Sequence, residues 1–589
     1  MDHRAYLGAS DYAVIGITLL IPTIIGLKFR SKKKRDATSK EYLLAGKDMS
    51  IFPVIMSITV TMISGISMLG QPAEIYRYGL QVSLLCIGFP VGTILSSYIF
   101  LPVYFQCDVS TSYEFLEMRY GKIARLTISG LFLAQMILFM SVVLYAPVLA
   151  LSAVTDLSLE ASIIIFGLVC SFYCAVGGLK AVIWTDVFQA SLILLTLIVL
   201  YIKGIGEAGG ISEIYRKSAE SQRLNIFEFK EDFVKRYTFI NVLLRGIIGG
   251  MAYYGVSQIE VQRMLSLKSL NRAKSALNWS IIPATSFLAL CMFLGLMLYA
   301  IFDTCDPVKD KMHTGVQKYD QIVPYYIVSR FSSIPGLTGL CVAGIFSGSL
   351  STLSSALNSL SAVTVFDLIK PLYKSRVSET RMVYIAKILS LCYGIICICL
   401  TFVISRVDSL VAINNTLLSV VEGPVFAVFC IAVLSRKGSE KCILFGLLSG
   451  VLITAWVGCG IQISGYYYPA LLLDASGCPK PVNGTDFFQN LNACNNLTQC
   501  LSTSLPSIKN EPFFLYKISF LWLPSLGFFT TLCAVFIAVI LTGWRHNAIP
   551  VTSECLSPVT RFWIKVARSE IEKKELSKDL EEKIQLTAL

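Results

Sequence analysis

The segment Gly344–Val363 reads GIFSGSLSTLSSALNSLSAV and is long and apolar enough to lie within a membrane. Helical spacing places five of its polar residues on one face: Ser347, Ser351, Ser354, Ser355 and Asn358. Because hydroxyls that face lipid find no water to replace their hydrogen bonds, this face must meet other helices, water or a ligand. Hydroxyl and carbonyl oxygens are the ligands that hard cations prefer, which makes sodium one candidate. Close helix packing through small residues is the alternative.

The composition places this segment in a polytopic membrane protein. Of 589 residues, 54% are hydrophobic and only 15% are charged. Apolar runs of about 20 residues predict thirteen membrane spans. The predicted spans are 11–29, 50–70, 80–104, 126–153, 160–176, 182–203, 239–258, 277–302, 337–366, 382–405, 410–434, 442–464 and 519–543. Residues 1–543 would form the transmembrane domain, which contains the extracellular loop 465–518, and 544–589 a cytoplasmic tail.

The basic residues predict the orientation. Most of the 50 Lys and Arg fall on one side of the predicted spans, with a dense cluster at 28–35 directly after the first span. Loops rich in Lys and Arg stay in the cytoplasm, so the N-terminus is predicted outside and the C-terminus inside. This bias accounts for the net charge of +12, and no nucleic-acid partner is expected. The cluster follows the first apolar run instead of preceding it, which favours an uncleaved anchor over a signal peptide.

The predicted outer loops carry features of an oxidising, glycosylating compartment. Two acceptor sequons in the 465–518 loop predict glycosylation at Asn483 and Asn496. Four cysteines fall in two outer loops, where pairing is expected although the sequence leaves the connectivity open: Cys305, Cys478, Cys494 and Cys500. At the other end of the chain, Thr587–Leu589 has the form of a C-terminal PDZ-domain ligand.

The spans show an internal symmetry. Five spans over about 50–203 are followed by five over about 239–434, and the extra spans are 11–29, 442–464 and 519–543. An odd number of spans in each half makes the two halves insert in opposite directions. Small residues are predicted to break the first span of each half: Ser64, Gly65 and Ser67 in one half, and Gly246, Gly249, Gly250 and Gly255 in the other. Paired interruptions of this kind point to the binding site of an inverted-repeat transporter, although glycine is also common in membrane helices.

Six ordered motifs carry a resemblance. They are PAEIYRYG at 72–79, STSYEFLEMRYGK at 110–122, VVLYAPVLALSAVT at 142–155, VGGLKAVIWTDVFQA at 176–190, YGVSQIEVQR at 254–263 and SGSLSTLSSALNSLSAVTVFDLIKP at 347–371. Together they resemble the sodium:solute symporter family over about 10–460, in particular its branch of sodium-coupled monocarboxylate, multivitamin and iodide transporters. The resemblance implies a leucine-transporter-like five-plus-five inverted repeat with thirteen helices.

The resemblance also implies site residues. The sodium ligands would be the carbonyls of Val60, Ile63 and Gly348 and the hydroxyls of Ser351 and Thr352. Asp186, in the TD pair of the fourth motif, would lie on the inner exit path of the ion, or else cap a helix or pair with Lys180. A second sodium or the solute would meet a further set of residues, for several of which plain packing is the alternative: Met62, Ser64, Ser67, Cys86, Tyr145 and Gly250.

Glu422 departs from the pattern of this branch, which often shows a glycine pair where this chain has Glu422-Gly423. An acidic residue at membrane depth is costly unless it is paired or wetted, so Glu422 is a functional candidate, with a cap at a helix break before Pro424 as the alternative. If Glu422 faces the pocket ionised, an anionic solute is less favoured.

The predicted function is sodium-coupled import of a small organic anion, a monocarboxylate or a vitamin such as biotin or pantothenate, across the plasma membrane. Alternatives are an iodide, other anion, sugar or inositol carrier on the same fold, or a solute sensor or channel that does not concentrate its ligand. Zinc-site spacing, a P-loop and a nucleophile elbow are all absent from the sequence. Neither enzyme activity nor a cofactor other than the coupling sodium is therefore expected.

Overall fold

The computed structural model describes residues 7–29, 39–154, 158–372, 378–405, 410–479, 513–543 and 548–567. Within them the secondary structure is helical, and the two-residue bridge Lys437–Ala548 is the one β contact. The main helices are α1 Ala9–Phe29, α2 Ile51–Met62, α3 Gly65–Tyr78, α4 Leu85–Ile99, α5 Ser112–Arg119, α6 Lys122–Val154, α7 Leu159–Glu207, α8 Ile211–Glu220, α9 Phe239–Gly255, α10 Gln258–Leu265, α11 Leu270–Ile301, α12 Ile322–Phe331, α13 Leu337–Val363, α14 Glu379–Ile404, α15 Leu410–Leu434, α16 Glu440–Ser464 and α17 Leu523–Leu541.

These helices confirm a polytopic membrane protein. Ten segments of the described residues are long and apolar enough to cross a membrane, and two sharply bent pairs bring the number to as many as twelve. The predicted spans 160–176 and 182–203 lie on either side of a kink in α7, at Gly178, whose φ is 65°. Only glycine adopts such a backbone readily. A count of thirteen spans stays a prediction.

Of the two predicted helix breaks, the first lies at its predicted position and the second lies at the end of its predicted segment. The first lies between α2 and α3, at Ile63 and Ser64, as the sequence predicts. The second lies after Gly255, where α9 gives way to α10 at an angle of 51°. The glycines before it do not interrupt α9. Gly246 and Gly250 instead let α9 pack backbone-to-backbone on α4, because Cβ atoms there would lie 2.8 Å from Gly88 Cα and 2.7 Å from Phe89 O.

This contact between α4 and α9 gives a stability prediction. A Cβ at Gly92 would lie 2.8 Å from Met251 N and 2.9 Å from Gly250 Cα, so Gly92→Ala must push two backbones apart. We expect a loss of about 1–3 kcal/mol, the usual cost of overpacking, seen as a lower melting temperature of the detergent-solubilised protein. Gly130→Ala in α6 is the matched control, because a Cβ there meets nothing within 4 Å. Equal melting temperatures for the two variants would contradict the close packing.

Helix α13 contains the hydroxyl-rich segment and lies at the centre of the molecule. Almost all of its residues from Thr338 to Val363 are buried, among them every hydroxyl. Several hydroxyls bond to carbonyls one turn back, such as Ser347 Oγ to Ala343 O at 2.8 Å and Ser361 Oγ to Leu357 O at 2.9 Å. The helix packs against α2, α6, α7, α14 and α1. A polar helix is stable here because protein, and not lipid, surrounds it.

Candidate sodium site and solute cavity

The site begins at the break in the first repeat helix. Helix α2 ends at Met62 and α3 begins at Gly65, while Ile63 is non-helical with a ψ of 85° and Ser64 is extended with a ψ of 172°. The last carbonyls of a helix have no partner within that helix. The break therefore presents backbone oxygens in the interior of the protein, where a neighbouring element or a ligand must satisfy them.

Helix α13 passes directly against this break at Gly348. A Cβ at Gly348 would lie only 3.2 Å from Ile63 O and 3.3 Å from Gly65 N. The approach is close from the other side too, since a Cβ at Gly65 would collide with the Ser349 hydroxyl. A small residue on each element is thus what allows the helix and the break to touch.

The predicted sodium ligands meet at this contact. Ser351 Oγ lies 3.4 Å from Val60 O and 3.0 Å from Gly348 O. Thr352 Oγ1 lies 3.2 Å from Gly348 O, and 3.3 Å from Thr61 O in the last turn of α2. Both hydroxyls are buried. The structure thus brings together all five predicted residues, including Ile63, whose carbonyl faces Gly348. Such a set of neutral oxygens suits a weakly held monovalent cation.

A buried ionic cluster lies on the side of this site that the sequence predicts to face the cytoplasm. Arg263 on α10 donates to Glu260 at 2.6 Å and to Ser57 Oγ at 2.8 Å, and its Nη2 lies 3.6 Å from Asp186 Oδ2. The three charged side chains are completely buried. Arg263 Nη2 also donates to the hydroxyls of Thr61 and Ser355. Asp186 is therefore connected through Arg263 to both helices of the candidate sodium site, α2 and α13.

A cavity of about 220 Å³ lies beside the break. Met62, Ser64 and Ser67, which the resemblance assigns to the second sodium or the solute, line it, and so does Glu422. The other predicted residues lie elsewhere. Cys86 faces a separate small cavity, the Tyr145 hydroxyl donates to Ser405 O at 3.2 Å, and Gly250 packs on α4.

Sequence reasoning did not assign a role to Arg245, which lines the same cavity. Arg245 Nη1 donates to Glu422 Oε1 at 3.0 Å, so the cavity wall carries an ion pair between α9 and α15. The signal was present, since Arg245 stands inside an apolar span, where a charge marks a functional site by default. Arg263 and Glu260 were also missed, although both belong to the motif YGVSQIEVQR.

One cysteine pairing that the sequence left open lies between the predicted outer loops. Cys305 and Cys478 form a disulfide bond, with Cα atoms 4.9 Å apart. Cys494, Cys500, Asn483 and Asn496 lie outside the described residues, as does the C-terminal Thr587–Leu589. Their predicted disulfide, glycosylation and PDZ roles stay predictions.

A broken helix, a cluster of oxygens at the break and an adjacent cavity in one helical bundle are typical of sodium-coupled transporters. The chain belongs to the sodium:solute symporter family, whose model matches residues 42–450. Its relatives are membrane transporters and not enzymes.

Individual relatives agree with this assignment. The chain is 36% identical to sodium-coupled monocarboxylate transporter 1 of Xenopus laevis, over 91% of this chain and 86% of the relative. It is 35% identical to a Drosophila melanogaster relative named for sodium-dependent multivitamin transport, over 90% and 85%. A solved structure of a substrate-bound, outward-open sodium-coupled sialic acid symporter shares the fold, with a TM-score of 0.72 at 20% identity over 93% of this chain and all of that one. The fold is therefore leucine-transporter-like.

Proposed function

We propose that this chain imports a small organic anion, recognised through a carboxylate, together with sodium across the plasma membrane by alternating access. The observation that carries the proposal is the convergence of the Ser351 and Thr352 hydroxyls with the carbonyls at the α2–α3 break, next to a cavity that holds an arginine. The hydroxyls and carbonyls can bind the coupling ion. The arginine offers the bidentate donor that carboxylates favour.

The size of the cavity favours a compact solute. Its volume of about 220 Å³ is below the usual range of roughly 300–1,000 Å³ for ligand pockets. A monocarboxylate of a few carbon atoms suits this space better than a vitamin with rings or a long chain, such as biotin or pantothenate. Relatives that carry the name of monocarboxylate transporters point the same way.

The sodium gradient can drive such uptake. One inward sodium gains about 1.6 kcal/mol from a potential of about 70 mV and about 1.4 kcal/mol from a tenfold concentration gradient. One sodium moving with one monoanion carries no net charge, so this pair gains free energy only from the concentration gradient. The number of sodium ions per solute therefore sets how far the anion is concentrated.

We further propose how the parts are placed in the membrane. The N-terminus is outside, the C-terminus is inside, and residues 50–203 and 239–434 form inverted repeats, with the remaining three spans outside them. The Cys305–Cys478 disulfide supports this orientation, because it joins two loops assigned to the oxidising side. Asp186 would then act on the inner exit path, where its carboxylate offsets the Arg263 charge that faces the departing sodium.

Uptake into proteoliposomes tests the proposal. We expect lactate or another small carboxylate to accumulate against its gradient when sodium is outside, and not when choline replaces sodium. Competition by pantothenate, biotin, iodide and glucose separates the other carrier classes on this fold. Binding without accumulation would identify a sensor instead, and accumulation that persists in choline would overturn sodium coupling.

A further inference from the structure

The solute cavity contains an ion pair that joins its two walls. Arg245 on α9 and Glu422 on α15 are 8% and 14% exposed, and both line the cavity. Arg245 also reaches Asn415 Oδ1 at 3.5 Å. Its guanidinium lies over Gly249, where a Cβ would come within 2.5 Å of Nη1. The absence of a side chain one turn along α9 thus leaves room for Arg245 to point at Glu422.

The same cavity carries hydrogen-bond acceptors that the described protein does not satisfy. Glu422 Oε2, Asn414 Oδ1 and Gln71 Oε1 are buried, belong to residues that line the cavity and have no donor within reach among the described residues. Buried acceptors of this kind are costly unless a donor reaches them. The charged acceptor, Glu422 Oε2, suits a ligand group that brings N–H donors and a positive charge.

The charge of the solute can be argued from the ion pair. A simple monoanion that took Arg245 would leave Glu422 as an unpaired carboxylate at membrane depth, which is unfavourable. A solute that carries both a carboxylate and an ammonium group leaves neither charge unpaired. Its carboxylate replaces Glu422 on Arg245, and its ammonium group replaces Arg245 on Glu422.

We propose that the Arg245–Glu422 pair selects a small zwitterion, an amino-carboxylate, in preference to a simple monocarboxylate. Arg245 binds the carboxylate, and Glu422 binds the ammonium group. The inference rests on the proposed sodium-coupled uptake of a solute recognised through a carboxylate, and it replaces the simple anion by an amino-carboxylate without net charge. When the cavity is free of solute, the two side chains neutralise each other.

The test compares solutes that differ only in the amino group, in proteoliposomes of the full chain. Propionate is paired with alanine and with 3-aminopropionate, and butyrate with 4-aminobutyrate. We expect at least one amino-carboxylate to be taken up with sodium at least tenfold more efficiently than its parent acid. Glu422→Gln should reduce this preference to about twofold or less, because an amide cannot pair with the ammonium charge. Glu160→Gln, at an exposed acid near the start of α7, is the matched control and should keep the preference.

A second variant protects the test against misfolding. Glu422→Gln leaves Arg245 without its charged partner, whereas Arg245→Gln with Glu422→Gln removes both charges together. In this double variant, thermal stabilisation by the amino-carboxylate should disappear. Preference for the parent acid in the native protein, or an amino-group preference that survives Glu422→Gln, would overturn the inference and leave the proposed symport intact. The absence of any sodium-driven carboxylate uptake would instead overturn the proposed function.

Discussion

Replacing Ser351 and Thr352 together by alanine is expected to raise the sodium concentration for half-maximal uptake at least tenfold. The two hydroxyls are the side-chain oxygens at the α13 contact with Val60 and Thr61 of the broken helix. A contact between a hydroxyl and a charge is worth about 1.5–3 kcal/mol, and a tenfold change corresponds to about 1.4 kcal/mol. We expect a rise near the lower end of this energy range because water can replace part of the lost coordination.

The matched control is another Ser/Thr pair, at the C-terminal end of α13 and directly after it. Ser361 and Thr364 bond to Leu357 O and Leu360 O, and to hydroxyls of α14, away from the break. Their double alanine variant should keep the native sodium dependence. The measurement is initial uptake across a sodium series, normalised to the amount of protein in the membrane. Unchanged sodium dependence in the Ser351/Thr352 variant would remove the site assignment.

The elements that form the candidate sodium site could be predicted from the sequence because they depend on local features. A row of hydroxyls in an apolar segment can be read from helical spacing, and the break at Ser64-Gly65 from small residues in a span. Backbone carbonyls as ligands require only that the helix be broken. The contact itself needed the family resemblance, because no periodicity shows that Gly348 meets Ile63.

The solute cavity was less predictable because its residues come from distant helices. Arg245 and Glu422 are 177 residues apart, and their pairing at 3.0 Å depends on how α9 and α15 pack. The sequence showed Glu422 as an acidic residue within a predicted span but did not identify its partner. The glycines of α9 misled for a related reason, since glycine serves both helix breaks and close packing, and only the packing partner, α4, distinguishes the two uses.

The cluster around Arg263 contacts both elements of the candidate sodium site. Arg263 contacts α2 through Ser57 and Thr61 and contacts α13 through Ser355. It therefore joins the same two elements as the sodium site, on the predicted inner side. Opening a path for sodium in that direction requires these contacts to separate, because the cluster is completely buried. The arginine is thus a candidate to couple the ion site to inner opening.

Replacing Arg263 by methionine is expected to reduce the stability and surface expression of the protein severely. The change leaves Asp186 and Glu260 as two buried carboxylates without their cation. Removing one partner of a buried ion pair typically costs about 3–5 kcal/mol, which is a large share of the roughly 5–15 kcal/mol that stabilises a typical domain. The measurement is the melting temperature of the detergent-solubilised protein, together with its amount at the cell surface.

Two further variants separate lost charge pairing from lost side-chain volume. Arg330→Met is the matched control, because Arg330 pairs with Glu207 where the two side chains are 40% and 24% exposed, and surface pairs contribute about 0–1 kcal/mol. Arg263→Met combined with Asp186→Asn and Glu260→Gln removes the stranded charges and should recover most of the melting temperature. If Arg263→Met alone melts like the Arg330 variant, the buried cluster does not stabilise the inner side. If the triple variant melts no higher than Arg263→Met, the loss comes from packing, because neutralising both carboxylates then brings no gain.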